Sequence, residues 1–346
     1  EDSTDLRDIG GTFHATAFRW LNRLKLANSA FNIVDDRDCK RLLKMDISDD
    51  DKRTLEMIGL SMKDLLQINS LSVNLQESPA YVVSKFFPQA QNASSWISEK
   101  ITQLRKRKQQ AGVLDYDDIL EEWLKALRSP SGDIIRQTYD YVMVDEYQDT
   151  SRVQVDILAE LVKTHGNIIA VGDDCQSIYS FRGALSAQMR DFANDFKDAH
   201  IVKLEDNYRS SQPILDACND VISESKEIYP KELQSAEKKI GPAPLLTEAR
   251  DQQHVAVLLL EKIINNLQQG IPLNQQAILF RSSMQAMPFE KILVQERIPY
   301  KKYGGIKITE AAHVRDFISL ISCCFTMNPA AWLRVLLLIP GVGDKT

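Results

Sequence analysis

Asp145 and Glu146 stand side by side, directly after the apolar run Tyr141 to Val144. A short apolar run of this kind reads as a buried strand of a parallel sheet. Carboxylates at the C-terminal end of such a strand sit where open α/β sheets bind their ligands. Two adjacent carboxylates aimed at a crevice suit a nucleotide carrying Mg2+. One of them, Asp145, can hold the metal, and the other, Glu146, can orient or deprotonate an attacking water. A pair of carboxylates at a helix N-terminus is the plainer alternative.

The residues that follow supply the elements needed to position this pair. Ser151 and Gln154 have the spacing of a capping box. Val153, Leu158, Leu161 and Val162 then form the apolar face of a helix, and Gly166 ends it. A second apolar run, Ile168 to Val171, makes the next strand and passes into the polar turn Gly172 to Ala184. One βαβ unit thus brings two polar edges to the same end of one sheet. A third apolar run, Ile201 to Leu204, reads as a strand and precedes Glu205 to Ser210. Within the polar turn, Tyr179 and Phe181 are spaced i, i+2. On an extended segment both rings face one side, which gives a stacking platform for successive bases, and Arg182 can add a phosphate or cation–π contact. Core packing of the two rings is the alternative.

Asp145-Glu146-Tyr147-Gln148-Asp149-Thr150-Ser151, the segment Gly172-Asp173-Asp174-Cys175-Gln176-Ser177-Ile178-Tyr179-Ser180-Phe181-Arg182-Gly183-Ala184, and Asn207-Tyr208-Arg209-Ser210 occur in this order. Together they resemble the motifs of superfamily 1 DNA helicases of the UvrD/Rep/PcrA type. Gly11-Thr12-Phe13-His14 resembles that family's Thr-Phe-His motif, Leu114 to Leu120 its acidic Asp-Phe-Asp-Asp-Leu segment, and Ala277 to Ser283 the opening of its second motor domain. Ile298-Pro299-Tyr300 and Tyr303-Gly304-Gly305 follow as they do in the family.

The resemblance implies an α/β fold of RecA-like P-loop NTPase motor domains, parallel sheets flanked by helices, with an inserted all-helical subdomain. Residues 1–15 with 112–204 would form the first motor domain, and 16–111 the helical insertion. Residues 205–336 would form part of the second motor domain, and 337–346 the start of a second insertion. There, Leu338 to Gly343 is similar to a helix-hairpin-helix turn, whose free amides meet a DNA phosphate, unless the segment is a plain helix-ending turn.

The resemblance also assigns roles. Gln176 would sense the γ-phosphate, Arg209 would reach it as an arginine finger does, and Tyr208 would stack on the adenine. Thr12, Phe13, His14 and Arg281 would meet single-stranded DNA alongside Tyr179, Phe181 and Arg182. The implied activity is that of an ATP-dependent 3′-to-5′ single-stranded DNA translocase and helicase. ATP and Mg2+ would be its cofactors, and single strands and single/double-strand junctions its partners. ATP would bind between the two motor domains, and closure would bring Arg209 onto it. One departure stands out: where the family has Arg-Thr-Asn-x-Gln-Ser-Arg, this chain has Ser283 for the Asn and Met287 for the second Arg.

The phosphate-cradling motif G-x-x-x-x-G-K-[ST] occurs nowhere in the 346 residues. The terminal Gly341-Val342-Gly343-Asp344-Lys345-Thr346 has the wrong spacing and follows an apolar helix rather than a strand. The expectation is therefore a central piece of a longer helicase that alone does not turn over ATP. Two alternatives come from other classes. One is a non-catalytic single-stranded DNA-binding module. The other is part of a helicase–nuclease fusion whose nuclease lies beyond residue 346. Asp115, Asp117 and Asp118 could also suggest a nuclease metal site, but the resemblance gives that acidic segment a structural or coupling role.

Composition bounds these readings. A net charge of −6 argues against bulk electrostatic binding of nucleic acid and leaves room for a local basic groove with stacking. Lys100, Arg105, Lys106, Arg107 and Lys108 form one basic run, which reads either as such a patch or as a solvated helix face. Five cysteines without CxxC spacing point to a reduced, cytoplasmic compartment and away from a metal site. No apolar run reaches the about 18 residues of a membrane span.

Overall fold

The structure, a computed structural model, describes residues 10–24, 32–178, 187–224, 229–304, 312–325, 329–336, 338–339 and 342. The chain divides into two compact units, Glu1–Pro244 and Leu245–Thr346.

The first unit opens with α1 (Phe13–Arg23), β1 (Asn32–Ile33), α2 (Asp36–Lys44), α3 (Asp49–Met57), α4 (Met62–Leu75), α5 (Pro79–Phe86) and α6 (Ser94–Ala111). Local chemistry sets the starts. Ser48 with Asp51 and Ser61 with Asp64 make reciprocal capping boxes for α3 and α4, and Ser78 caps α5 ahead of Pro79. Leu43, Leu65, Ile68, Val82, Ile97 and Ile101 bury the inner faces of α2, α4, α5 and α6 in one core. Asp51 also clamps α6 onto α3, accepting from Trp96 Nε1 at 3.0 Å and Lys100 Nζ at 2.9 Å. Burial pushes its carboxyl up, but the Ser48 amide, Lys100, the Ser48 hydroxyl and Trp96 outweigh this and hold it well below the usual carboxylate range.

β2 (Val113–Leu114), α7 (Tyr116–Arg128), α8 (Gly132–Arg136), β3 (Val142–Val144), α9 (Arg152–Val162) and β4 (Ile168–Ala170) follow. β1 pairs in parallel with β2, so the expected helical insertion, 16–111, carries one strand among its described residues, Asn32–Ile33. α1 packs Ala17, Trp20 and Leu21 into the core of α7 and α9 rather than into the insertion core. Trp20 Nε1 donates to Tyr139 Oη at 2.7 Å. The apolar stripe of α1 thus shares a core with Trp123 and Leu127.

β3 and β4 are parallel, in register Val142 with Ile168 and Val144 with Ala170. Their C-terminal ends therefore share one edge, as the βαβ reading expects. α10 (Ala187–Asp195), β5 (Asp206–Asn207), α11 (Gln212–Ser223) and β6 (Gln234–Ser235) complete the first unit, with β5 and β6 parallel.

Two expected strands, Ile201 to Leu204 and Ala277 to Phe280, join no ladder among the described residues. An apolar run becomes a strand by pairing, and among the described residues these runs pair with none. Leu204 is 78% exposed and Leu279 95%.

The second unit holds α12 (Gln252–Gln268), α13 (Ser283–Gln295), α14 (Ala312–Phe325) and α15 (Pro329–Leu336). Ala256, Ile263, Phe289 and Leu293 form its core between α12 and α13. Among the described residues no helix is long and apolar enough to cross a membrane.

Candidate active site

The two carboxylates stand where the sequence places them, immediately beyond β3. Tyr147 N–H donates to the Val171 carbonyl at 2.9 Å, and Val171 N–H donates to the Val144 carbonyl at 2.8 Å. The ladder thus continues past β3 while Asp145 and Glu146 bulge out of it. Glu146 takes a left-handed conformation, φ 51° and ψ 44°, which turns the chain into the short 3-10 turn Tyr147–Asp149. Both carboxylates are exposed. Asp145 Oδ1 accepts the Glu146 N–H at 3.0 Å. Such exposed, hard oxygen donors fit Mg2+, which keeps several waters and takes few carboxylates.

A cleft of about 510 Å³ runs beside the pair, and its walls include Thr12, Phe13, His14, Asp145 and Glu146. The structure therefore brings the Thr-Phe-His segment and the carboxylates to one cavity. Each residue of that segment also has a structural task. Thr12 Oγ1 accepts from Ala15 N at 3.3 Å and caps α1, while Phe13 packs between two cores. The His14 ring meets Tyr116 edge-on with centroids 5.7 Å apart, and burial lowers its pKa.

The loop after β4 lies at the same sheet edge. Its Gln176 donates from Nε2 to Asp173 Oδ2 at 2.9 Å. Lys231 Nζ lies 2.5 Å from Asp173 Oδ1 and 2.7 Å from Asp174 Oδ1, and Tyr229 N–H donates to Asp174 Oδ2 at 2.7 Å. Burial alone would lower the Lys231 pKa, but its two aspartate partners raise it. The Asp173 carboxyl is held below its usual range: burial raises it, and Lys231 and Gln176 overcome that. Asp173, Asp174 and Cys175 bring three potential ligand atoms within 4.8 Å of one another, but Lys231 already supplies their counter-charge.

Gln148 joins the two edges. It is 2% exposed, donates from Nε2 to Glu146 Oε2 at 2.6 Å, and accepts the Asp173 N–H at Oε1 at 2.9 Å. Sequence reading gave Gln148 and Lys231 no role. Gln148 had a signal, being a polar residue next to an apolar strand within the acidic motif. Lys231 had none.

Other expected site residues lie elsewhere. Asn207 Oδ1 accepts the N–H of Arg209 at 2.9 Å and of Ser210 at 2.8 Å, a turn that presents Tyr208 and Arg209 as exposed side chains. Among the described residues nothing joins Arg209 to Asp145 or Glu146. Tyr179, Phe181 and Arg182 lie outside the described residues, as do Pro340, Gly341 and Gly343 of the hairpin-like turn. Arg281 is exposed in the second unit, on the wall of a cavity of about 920 Å³ that also includes Tyr300, Lys301 and Tyr303. Gln285 is engaged in capping α13, accepting the Ser282 N–H at 3.3 Å.

The basic run is not a free cationic patch. Lys100 pairs with Asp51, Arg105 Nε donates to Asn69 Oδ1 at 2.8 Å, and Arg107 Nε donates to Asp46 Oδ2 at 2.6 Å. Lys108, 2% exposed, holds Asp115 at 2.6 Å and Asp118 at 2.7 Å. Asp115 and Asp118 also form the capping box of α7, and Asp117 Oδ1 accepts from Asn74 Nδ2 at 2.8 Å. These aspartates are consumed by structure, which removes the motive for a nuclease centre.

Residues 8–197 match the UvrD/REP helicase N-terminal domain, and residues 202–346 match the UvrD-like helicase C-terminal domain. The ATP-dependent DNA helicase UvrD1 of Mycobacterium tuberculosis is 30% identical over 358 residues, which cover 96% of this chain and 45% of that protein. The ATP-dependent DNA helicase PcrA of Leuconostoc citreum is 32% identical over 354 residues, 95% of this chain and 44% of that protein. DNA helicase II of Escherichia coli K12 is 30% identical over 351 residues, 97% and 46% respectively. The chain spans about half the length of the curated relatives it matches.

Proposed function

Because the chain belongs to the UvrD/REP helicase family, we propose that it carries the hydrolytic and DNA-gripping residues of an ATP-dependent, 3′-to-5′ single-stranded DNA translocase and helicase. The observation that carries this reading is the shared edge of β3 and β4. It sets Asp145 and Glu146 at one strand end and the Gln176 loop at the next.

Glu146 accepts a proton from the attacking water. The water oxygen bonds to the γ-phosphorus as the bond from that phosphorus to the ADP oxygen breaks. Asp145 is the residue that would hold Mg2+, which when bound would neutralise phosphate charge. Gln176 orients the water, Tyr208 stacks on the base, and Arg209 meets the charge that develops on the phosphoryl group. Thr12, Phe13, His14, Tyr179, Phe181, Arg182 and Arg281 hold the single strand. No G-x-x-x-x-G-K-[ST] lies within these 346 residues, so turnover by this mechanism requires a phosphate cradle that they do not supply. That same absence is what favours the second reading, a DNA-binding module without turnover.

Strand displacement on duplexes with a 3′ or a 5′ single-stranded tail tests the reading, using the longest translated product that carries this chain. ATP-dependent unwinding from the 3′ tail is expected. Unwinding from the 5′ tail refutes the polarity, and binding without unwinding favours the module.

A further inference from the structure

We propose that Gln148 is a positioning residue that couples the Glu146 carboxylate to the 173–178 loop, so that a ligand held by that loop sets the orientation of the hydrolytic carboxylate. The inference rests on the proposed function and names a residue to which that reading gives no task.

The geometry is specific. The Asp173 N–H is a donor, so the amide face turned to it at 2.9 Å must be the oxygen Oε1. The other face, turned to Glu146 Oε2 at 2.6 Å, must then be the nitrogen. A planar amide with both ends engaged cannot let one partner move without disturbing the other. The main chain repeats the link: the Ser177 hydroxyl donates to the Gln148 carbonyl at 3.4 Å. Ser177 lies two residues before Tyr179, the first ring of the proposed DNA-stacking pair.

The surroundings favour transmission over mere packing. Gln148 is 2% exposed, so no bulk water replaces either hydrogen bond if it breaks. Gly172 leaves the room the amide occupies, for an added Cβ would stand 2.6 Å from Gln148 Oε1. Glu146 itself is exposed, and the Gln148 amide fixes one of its two oxygens. The other oxygen is thereby presented to the incoming water.

The test is Gln148→Glu in the longest translated product that carries the chain. This variant keeps the shape and the bond from Asp173 N–H but sets a like charge against Glu146. ATP turnover is measured with and without single-stranded DNA, beside a urea melt. The ratio of DNA-stimulated to basal kcat should fall about tenfold. The KM for ATP should stay within about twofold, since uniform binding is untouched. If Gln148→Glu does not fold, Gly172→Ala, which crowds the same amide, should lower the same ratio.

Unchanged stimulation in a folded variant overturns the proposal and leaves the proposed function standing. A wild type without DNA-stimulated turnover overturns both.

Discussion

Gly172 lies so close to Gln148 that a Cβ built on it would stand 2.6 Å from the amide oxygen. The same Cβ would meet Met189 Sδ at 2.9 Å and the backbone N of Tyr147 at 3.2 Å. Met189 can swing aside. Gln148 cannot, because both ends of its amide are engaged.

Gly172→Ala should therefore cost about 1–3 kcal/mol of stability, the usual penalty for an added methyl in a packed site. A urea melt of the variant against the wild type measures it. A neutral effect would mean that the loop after β4 yields freely and that the Gln148 link is soft.

Lys108 stabilises the join between α6 and α7 through two carboxylates. Replacing it with Met leaves Asp115 and Asp118 facing each other without a counter-charge, which should cost about 3–5 kcal/mol near neutral pH. In the wild type, burial and the charge of Asp115 push the Asp118 carboxyl up to about 6, above its unfolded value. A carboxyl raised in this way contributes stability below the unfolded pKa of about 3.9 and loses it as pH rises through about 6. Without Lys108, Asp115 loses the partner that holds it below its usual range and rises, and Asp118 rises further. The deficit of Lys108→Met should thus shrink towards about pH 5 and grow towards about pH 8. Melts at the two pH values test the sign. A deficit independent of pH would show that Lys108 acts by packing.

Tyr208 and Arg209 share one turn, and the proposed function gives them separable tasks. Tyr208→Ala should raise the KM for ATP about tenfold with little change in kcat, because stacking on the base is felt equally in ground and transition states. Arg209→Ala should lower kcat by about 10³-fold, the scale of a lost arginine finger. Steady-state kinetics of both variants separate these outcomes. A KM effect from Arg209 with unchanged kcat would move it from the reacting phosphate to substrate capture.

What the sequence made legible was local. The step from an apolar run into Asp145 and Glu146, and the capping at Ser151, are set by neighbours a few residues away, and both stand in the structure. The parallel pairing of Val142 to Val144 with Ile168 to Ala170 followed from the short crossover between them. Ile201 to Leu204 has equal apolar character, yet it joins no ladder among the described residues, because its fate depends on a partner and not on its own pattern. The basic run misled for the same reason. Lys100, Arg105 and Arg107 are neutralised or engaged by Asp51, Asn69 and Asp46, which are distant in sequence and close only after folding. Lys231 escaped notice because α10, β5 and α11 separate it from the aspartates it holds.

The central claim is that Glu146 carries the hydrolytic step of a DNA-driven motor. The most direct measurement is single-strand-DNA-stimulated ATP hydrolysis by the longest translated product that carries the chain, compared with its Glu146→Gln variant and with the 346-residue chain alone. The account predicts stimulated turnover in the first, a fall of at least about 100-fold in the variant with ATP binding retained, and none in the isolated chain. Turnover that survives Glu146→Gln would contradict it.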